Sequence, residues 1–378
     1  MRLKIDLLRA EGRPSAERIH RFLAENSFPL VEGNSVTFVF YGAADAVLLQ
    51  HFIYGLPTSQ AFQRIEGTDL FFLVLELPRE SNLQYKLNLI RGNEGHWILD
   101  PLNPHRALDP FGANSVCRTE GTERQDWTYP HQVTRAGDLV KVSVWSEAFG
   151  ESRDVLLYLP ARFRRTRRYP LLVVHDGSDY LRFSDLKTVL DNLIHRLEVA
   201  PMIVALTNAG ERLGEYPNNE KHARFLKEEL VPQLERDYPL RAEPAFRGLM
   251  GASFGAVACL STAWRHQGYF GRLLLQSGSF AFTDIGANKR GPAFDPVVRF
   301  MNEFRQSPGK PSERVFVSCG TYESLIYENR SIVPILQKIG MEVKYVEARD
   351  GHNWENWRDR LREGLSWLFP GPLWMVYE

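Results

Sequence analysis

Two rhythms of apolar and polar positions divide the chain near residue 129. Before that point, short runs rich in β-branched and aromatic residues alternate with turn residues, which is typical of an antiparallel sandwich. Residues 10–28 have the pattern of a helix, and residues 101–128, rich in Pro, Asn, Gly and Asp, predict a linker. The strands predicted between these two segments are 36–41, 46–52, 70–76 and 84–90.

After residue 129 the pattern changes to strands that alternate with helices. Such alternation predicts an α/β fold with a mostly parallel sheet and helices on both faces, preceded here by an antiparallel edge. The edge strands are predicted at 139–145 and 154–159, and the later strands at 171–175, 202–206, 245–250, 272–276, 314–320 and 342–347. We therefore expect an all-β domain with its linker over residues 1–128 and an α/β domain over residues 129–378.

The composition indicates a globular protein and does not point to a particular function. The chain has 378 residues, 44% apolar and 24% charged, as in ordinary globular proteins. Its 46 basic and 46 acidic residues balance, so charge predicts neither nucleic acid nor a membrane surface as partner. Charges near the N-terminus argue against a signal peptide, and three widely spaced cysteines favour free thiols. A cytoplasmic location is the resulting expectation.

The first candidate for chemistry is a serine between two glycines. Residues 251–255 read Gly-Ala-Ser-Phe-Gly, a G-x-S-x-G pattern between a short apolar run and a segment of good helix formers. A serine on such a strand-to-helix turn exposes its hydroxyl at the end of a sheet, where a histidine can reach it. Glycines flank it because larger side chains would block so sharp a bend. Ser253 is therefore the predicted nucleophile of an α/β-hydrolase.

The order of the residues that follow supports this interpretation. An α/β-hydrolase requires nucleophile, acid and histidine in that order along the chain, each after a strand. Glu323 follows the strand predicted at 314–320, and His352 follows the strand predicted at 342–347. We assign Glu323 as the acid and His352 as the base, and we interpret Asp350 as a turn former. A Ser–His pair without an effective acid remains an open alternative.

Two backbone amides are the predicted donors to an oxyanion. One is the amide of Phe254, directly after the nucleophile, and the other is the amide of Ser178 in the turn after the strand at 171–175. The basic run at 162–168 is interpreted as a solvated loop, with attraction of an anionic substrate as the alternative. Neither paired Cys or His spacing nor a glycine-rich phosphate loop is present in the sequence, so no metal and no cofactor are expected.

The second half of the chain resembles the enterochelin esterase family. The motifs that carry the resemblance are the turn at 176–177, Arg212 with 215–216, the segments 229–232, 247–253 and 276–279, Cys319-Gly320 followed by Glu323, residues 329–330 and, most specifically, Gly351-His352-Asn-Trp354-Glu-Asn-Trp357-Arg358. More weakly, residues 98–104 resemble the end of an Ig-like N-terminal domain. The resemblance implies the same triad, substrate contacts from Asp176, Arg212 and Trp354, and hydrolysis of a catecholate siderophore trilactone.

The predicted triad and the family resemblance are compatible with three functions. The first is a serine esterase for a siderophore or a similar bulky polyester, with a small-molecule ester, such as a ferric siderophore, as partner. The second is a carboxylesterase or feruloyl-type esterase for other acyl or carbohydrate-linked esters. The third is a binding protein on a hydrolase scaffold without catalysis, which has no need of the complete Ser–acid–His order.

Overall fold

The computed structural model describes residues 2–283 and 291–372. These residues form two compact units. The first runs up to Glu123 and also contains two short segments from late in the chain, Thr321–Ser324 and Ala348–Asn353. The second comprises Arg124–Gly320, Leu325–Glu347 and the residues from Trp354 onward. In the described part of the chain, no helix combines the length and the apolar composition that crossing a membrane requires.

The first unit begins with two short helices and continues almost entirely in strands. The helices are α1 (Lys4–Ala10) and α2 (Ala16–Ala24), and the strands are β1 (Leu30–Glu32), β2 (Ser35–Tyr41), β3 (Ala46–Gln50), β4 (Ser59–Ala61), β5 (Gln63–Arg64), β6 (Leu70–Glu76), β7 (Asn82–Arg91), β8 (Glu94–Ile98), β9 (Arg106–Asp109) and β10 (Gly112–Arg118). The four strands predicted from the sequence are confirmed as β2, β3, β6 and β7.

Two antiparallel sheets share one core in this unit. The described strands form a four-stranded sheet in the order β1-β2-β6-β5 and a six-stranded sheet in the order β4-β3-β7-β10-β9, with β8 beside β7. Alternate residues of both sheets point into a common cluster, where Phe38 of β2 packs edge-on against Tyr85 of β7 at 4.9 Å. The period-two burial of β7 explains why this strand was predictable from the sequence.

Two predictions for this region are wrong in detail. The helix expected over 10–28 is shorter, since α2 covers only Ala16–Ala24, while α1 ends at Ala10 and the chain turns at Gly12, which has a φ of 77°. The linker expected over 101–128 contains the hairpin of β9 and β10, in which Ala113 pairs with Leu108. Its polar, glycine-containing sequence predicted irregular structure, yet Val116 and Cys117 are buried in the unit.

The second unit alternates strands and helices. Its strands are β11 (Asp138–Ser146), β12 (Glu151–Leu159), β13 (Leu171–Val174), β14 (Ile203–Leu206), β15 (Arg247–Ala252), β16 (Arg272–Gln276), β17 (Arg314–Gly320) and β18 (Glu342–Ala348). Its helices are α3 (Gly177–Phe183), α4 (Leu186–His195), α5 (Arg212–Glu215), α6 (Glu220–Arg224), α7 (Val231–Asp237), α8 (Phe254–Arg265), α9 (Asp295–Gln306), α10 (Ile326–Lys338) and α11 (Trp354–Leu368), with a π-helical stretch at Phe225–Leu230 joining α6 to α7.

One sheet organises this unit. Its described strands lie in the order β11-β12-β14-β13-β15-β16-β17-β18. The pairs β11–β12 and β12–β14 are antiparallel, and the pairs from β14 through β13, β15 and β16 to β17 are parallel. The predicted antiparallel edge on a mostly parallel sheet is therefore confirmed. In parallel strands the carboxyl ends share one edge of the sheet, which is where α/β proteins place their sites.

Helices cover both faces of this sheet. Leu171, Val173 and Leu249 point to the face packed by α8 and α9, where they meet Val257 and Phe300. Leu172, Val174 and Met250 point to the opposite face, which is packed by α3, α4 and α11. Since β13 and β15 are buried on both faces, they are continuous apolar or glycine-containing runs instead of alternating ones.

Candidate active site

Ser253 lies on a sharp bend between β15 and α8. Its backbone has φ 58° and ψ −122°, a conformation that L-residues rarely adopt. The bend is held on one side by the Ser253 amide, which donates to the Gln276 carbonyl of the neighbouring strand end at 2.9 Å. This is the nucleophile-elbow geometry that the sequence predicted, with the hydroxyl raised at the carboxyl edge of the sheet.

The flanking glycines are required by close approach of the backbone. A Cβ at Gly251 would lie 2.5 Å from the carbonyl carbon of Gly255 and 2.6 Å from its oxygen. A Cβ at Gly255 would lie 3.3 Å from the Cβ of His175. The first contact is far shorter than van der Waals distance and involves backbone that cannot rotate away. The strand end and the first helical turn can therefore meet only because residue 251 has no side chain.

The hydroxyl of Ser253 has a partner that the sequence analysis did not identify. Its Oγ lies 3.2 Å from the Oγ of Ser279, and the Ser279 amide donates to the Ser253 carbonyl at 3.3 Å. Ser279 is buried and follows β16. The signal available in the sequence was the segment Gln276-Ser-Gly-Ser279, which contributed to the family resemblance. Either hydroxyl can be the donor in this contact.

The amide of Phe254 points out of the start of a long helix. It is the first residue of α8, and amides of a first helical turn have no acceptor within the helix. The helix dipole adds partial positive charge at the same place. This position suits a donor to an oxyanion that forms at Ser253.

The other predicted donor, the amide of Ser178, is already engaged. It donates to Oδ1 of Asn208 at 3.1 Å, while Nδ2 of Asn208 donates back to the Ser178 hydroxyl at 2.8 Å. The turn is tight, since a Cβ at Gly177 would lie 2.6 Å from the Leu206 side chain. In this structure Asn208, from the loop after β14, satisfies the Ser178 amide, and a role of that amide as oxyanion donor stays a prediction.

Glu323 and His352 are joined by a short hydrogen bond. Nδ1 of His352 lies 2.7 Å from Oε2 of Glu323. The carboxylate side chain is 1% exposed and the imidazole is 38% exposed. Because the buried carboxylate faces Nδ1, the imidazole is oriented with Nε2 on the other side of its ring. Glu323 comes three residues after β17 and His352 four residues after β18, as the sequence order required.

Asp350 organises the loop that carries His352. Its Oδ1 accepts from the Gly351 amide at 2.7 Å and from Nδ2 of Asn353 at 2.8 Å. Its Oδ2 accepts from Nδ2 of Asn82 at 2.9 Å. These bonds agree with the interpretation of Asp350 as a turn former. These three donors occupy the carboxylate of Asp350, and the carboxylate that binds the imidazole of His352 is that of Glu323.

Asp176 and Arg212, two of the three candidate substrate contacts, bind each other. The guanidinium of Arg212 makes three hydrogen bonds of 2.8–3.0 Å to the carboxylate of Asp176. Burial alone would lower the pKa of Arg212, but the bonds and charge of Asp176 raise it above its ordinary value. The Asp176 side chain is 9% exposed and that of Arg212 is 39% exposed. Arg212 lies 5.8 Å from the Phe254 ring, so only the arginine presents a surface beside the elbow.

Trp354 does not fit the substrate role that the resemblance gave it. Its indole packs edge-on against Tyr180 at 5.1 Å and against Trp357 at 4.6 Å. It also contacts Phe183 and is only 8% exposed. The structure therefore corrects this assignment, because Trp354 is the first residue of α11 and closes the core between that helix and α3.

A buried pair of histidines lies beneath the elbow. Nδ1 of His175 is 3.1 Å from the carbonyl of Met250, which can only accept, so Nδ1 carries the proton. Nε2 of His175 then accepts from Nε2 of His222, 2.9 Å away. Burial lowers the pKa of His175 to about 4 and also lowers the pKa of His222. Both rings are therefore neutral structural groups.

The basic segment 162–168 lies far from the elbow within the second unit. Its arginines are exposed and precede β13. Leu171, the first residue of β13, pairs with Arg247, the first residue of β15, whereas Ser253 follows the other end of β15. The cluster is thus at the amino edge of the parallel strands. It cannot contact an ester held at Ser253, and the interpretation as a solvated loop is supported.

A surface cavity in the second unit is unrelated to the elbow. It has a volume of about 460 Å³ and is lined by charged and aromatic residues that include Arg224, Trp264 and Arg265. Trp264 and Arg265 stand at the carboxyl-terminal end of α8, Arg224 ends α6, and Ser253 stands at the start of α8. A helix of 12 residues spans roughly 18 Å, which separates the cavity from Ser253. In the described residues, no cluster of His, Cys, Asp and Glu is arranged to hold a metal ion.

Comparison with known families agrees with this geometry. Residues 146–368 match the model of the Esterase family, which carries the description "Putative esterase". The matched segment is more than half of the chain and contains Ser253, Glu323 and His352. The chain belongs to the Esterase family. The resemblance to enterochelin esterases that the sequence motifs indicated is confirmed by the relatives described next.

Two curated relatives show different degrees of overlap. The iron(III) enterobactin esterase of Escherichia coli O6:H1 (strain CFT073) is 24% identical over 278 residues, which cover 71% of this chain and 66% of that protein. An endo-1,4-β-xylanase/feruloyl esterase of Xylanibacter ruminicola is 25% identical over 250 residues, covering 62% of this chain and 31% of that protein. The chain thus spans two thirds or less of the length of both.

A solved structure has the same fold over most of the chain. The crystal structure of ferric enterobactin esterase from Salmonella typhimurium superposes with a TM-score of 0.73 at 20% identity. The superposition covers 88% of this chain and 93% of that one. The fold of both units therefore has a counterpart in an enterobactin esterase.

Proposed function

We propose that the protein is a serine esterase that cleaves its substrate through an acyl-enzyme. The observation that carries the proposal is the 2.7 Å bond between Glu323 and His352, found together with the strained elbow at Ser253. A binding protein has no use for a buried carboxylate that fixes an imidazole, nor for a serine held at positive φ. Membership of the Esterase family supports the same chemistry.

In the proposed reaction each residue has one role. Oγ of Ser253 attacks the ester carbonyl and gives its proton to Nε2 of His352, while Glu323 stabilises the imidazolium that forms. The oxyanion accepts from the Phe254 amide. The Ser178 amide would be the second donor once the oxyanion replaces Oδ1 of Asn208 as its acceptor. His352 then protonates the departing alcohol, and water activated by the same imidazole releases the acid.

For the substrate we propose a catecholate siderophore trilactone, with hydrolysis serving release of iron. The support is the similarity to iron(III) enterobactin esterases, which extends to the fold over 88% of this chain. A ferric tris-catecholate complex is anionic, and Arg212 offers a partly exposed guanidinium near Phe254. Iron belongs to the substrate in this proposal. A cytoplasmic location stays a prediction from the sequence.

A second candidate is a carboxylesterase of the feruloyl type. The relative from Xylanibacter ruminicola includes a feruloyl esterase in its name and matches over 62% of this chain. The chemistry at Ser253 would be the same, and only the acyl group and alcohol would differ. The two candidates are therefore separated by their products and not by the triad.

The deciding experiment is a panel of esters with product identification by mass spectrometry. We expect ferric and iron-free enterobactin to yield dihydroxybenzoylserine oligomers, and methyl ferulate to be cleaved at least tenfold more slowly in kcat/KM. A reversed ratio would move the proposal to the feruloyl class. A fluorophosphonate probe should label the wild-type protein at Ser253 and fail to label Ser253→Ala. An absence of labelling and of turnover on every ester would overturn the esterase proposal in favour of a binding protein.

A further inference from the structure

The acid–histidine pair belongs to the same compact unit as the N-terminal sandwich. Thr321–Ser324 and Ala348–Asn353 join that unit although they follow β17 and β18 of the other one. The first segment carries Glu323 and the second carries His352. The contacts that hold these two loops therefore fix the position of the His352 imidazole. This position matters for catalysis on the basis of the proposed function.

The Glu323 loop is attached to the sandwich through Tyr322. The Tyr322 hydroxyl lies 2.6 Å from Oγ of Ser81, and the Tyr322 carbonyl accepts from the amide of Tyr54 at 2.8 Å. Its ring packs against the core shared by the two sheets of the sandwich. The residue directly before the proposed acid is thus fixed by one ring and two hydrogen bonds.

The His352 loop is attached to the segment 79–82 of the sandwich. The Asn82 amide donates to the Arg349 carbonyl at 2.8 Å, and the Asn82 side chain donates to Asp350 at 2.9 Å. Ser81 and Arg349 form a parallel bridge, and the Arg349 guanidinium donates to the Arg79 carbonyl at 2.9 Å. The segment 79–82 therefore adds a short strand-like edge to the loop that carries the proposed base.

The two loops are also tied to each other and to the interior of the sandwich. The Thr321 amide donates to the Ala348 carbonyl at 2.7 Å, and the Tyr322 amide donates to the Asp350 carbonyl at 3.1 Å. Ser81 is in turn held by Thr119, just after β10, whose hydroxyl accepts from the Ser81 amide at 2.8 Å. Ser81 is fully buried and Asn82 is 5% exposed, so these bonds form away from water.

We propose that Ser81 and Asn82 are positioning residues for catalysis, acting through Tyr322 and Asp350 on Glu323 and His352. Loops are the most mobile parts of a fold, yet proton transfer needs its partners held to about half an ångström. Buried side-chain hydrogen bonds have one good geometry and cost free energy when they are unmade. The sandwich thus supports the reaction directly, by fixing the loops that bear the acid and the base.

The test uses full-length variants that break one bond each. Tyr322→Phe keeps the ring in the core but loses the hydroxyl bonded to Ser81, and Asn82→Asp places a second carboxylate against Asp350. Tyr85→Phe is the matched control, because Tyr85 is a buried sandwich tyrosine whose hydroxyl donates to Asp100 at 2.6 Å. We expect Tyr322→Phe and Asn82→Asp to lower kcat on a small p-nitrophenyl ester by roughly tenfold to a hundredfold. KM should stay within about twofold, and the rate of fluorophosphonate labelling should fall with kcat.

The control should lower the melting temperature while leaving kcat and the labelling rate unchanged. A double-mutant cycle adds a second criterion: in a Glu323→Gln background, Tyr322→Phe should have little further effect, because its action passes through Glu323. Unchanged kcat in both variants, or losses that simply multiply with Glu323→Gln, would overturn the positioning role while leaving the esterase proposal intact. A wild-type protein that neither turns over nor labels would instead remove the esterase proposal, and the positioning role with it.

Discussion

Nδ1 of His352 and Oε2 of Glu323 lie 2.7 Å apart, although 29 residues separate them in the chain. The carboxylate is almost completely buried and its imidazole partner is about one third exposed. A buried acceptor of this kind fixes both the tautomer and the orientation of a neighbouring imidazole.

Removing either the proposed nucleophile or the proposed base should nearly abolish turnover. We expect Ser253→Ala and His352→Ala each to lower kcat by about four powers of ten or more, since members of a triad act as a unit. Steady-state kinetics on a chromogenic ester measures the effect. Ser261→Ala is the control, because this buried hydroxyl on α8 donates to the Ala258 carbonyl and makes no contact with Ser253. A loss of less than tenfold in Ser253→Ala would exclude the acyl-enzyme mechanism.

Glu323→Gln separates a triad from a Ser–His pair. If the carboxylate stabilises the imidazolium, kcat should fall by roughly 10²- to 10⁴-fold with the fold preserved. Glu347→Gln is the control, since that exposed carboxylate on β18 pairs with Arg330. Activity of Glu323→Gln within a few-fold of wild type would favour the Ser–His pair, and circular dichroism would verify that both variants are folded.

Gly251→Ala should disrupt the elbow. The added Cβ meets the Gly255 carbonyl at 2.6 Å, so β15 and α8 must move apart. We expect a loss of unfolding free energy of about 2–4 kcal/mol together with a large loss of kcat. Urea denaturation and kinetics measure the two effects. Gly291→Ala, where the Cβ would meet nothing within 4 Å, should change the unfolding free energy by no more than about 0.5 kcal/mol.

The buried histidine pair should make stability depend on pH. Burial lowers the pKa of His175 from 6.5 to about 4 in the folded state, whereas the unfolded chain titrates near 6.5. Above pH 6.5 both states are neutral and stability is complete. As the pH falls from about 6.5 to about 4, the unfolded state binds more protons, so the unfolding free energy should fall by up to about 3 kcal/mol from His175 alone.

Urea denaturation between pH 7.5 and pH 4.5 measures this dependence. His222→Gln keeps a donor for Nε2 of His175 but removes one of the two titrating rings, so its stability should fall less steeply with decreasing pH. His105→Gln, at an exposed position, should follow the wild type. If the unfolding free energy of His222→Gln falls with decreasing pH as steeply as that of the wild type, the buried histidine pair is not the cause of the pH dependence.

The local pattern of residues was enough to predict most elements of the second unit. Continuous apolar runs such as 171–174 and 272–276 predict buried strands, because a strand covered on both faces has no polar side to display. The order Ser253, Glu323, His352 was likewise available, since an α/β-hydrolase requires its three groups to follow strands in that order. The need for glycine at positions 251 and 255 could also be predicted, because larger side chains beside Ser253 would block so sharp a bend.

Other features depended on residues that are far apart in sequence. The partner of the Ser178 amide is Asn208 and the partner of the Ser253 hydroxyl is Ser279, and no local spacing connects either pair. The core position of Trp354 was equally hidden, because a tryptophan beside a histidine motif has the same sequence whether it faces substrate or Tyr180.

The sequence by itself determined the alternation of elements, the bend at Ser253 and the identity of the acid and base candidates, since each follows from short-range sterics or periodicity. Only the tertiary structure decided that segment 79–82 of the sandwich holds the loops of Glu323 and His352. Hydrogen bonds such as Asn82–Asp350 join residues 268 positions apart. Which distant polar groups meet is set by how the whole chain packs, and packing leaves no periodic mark on the sequence.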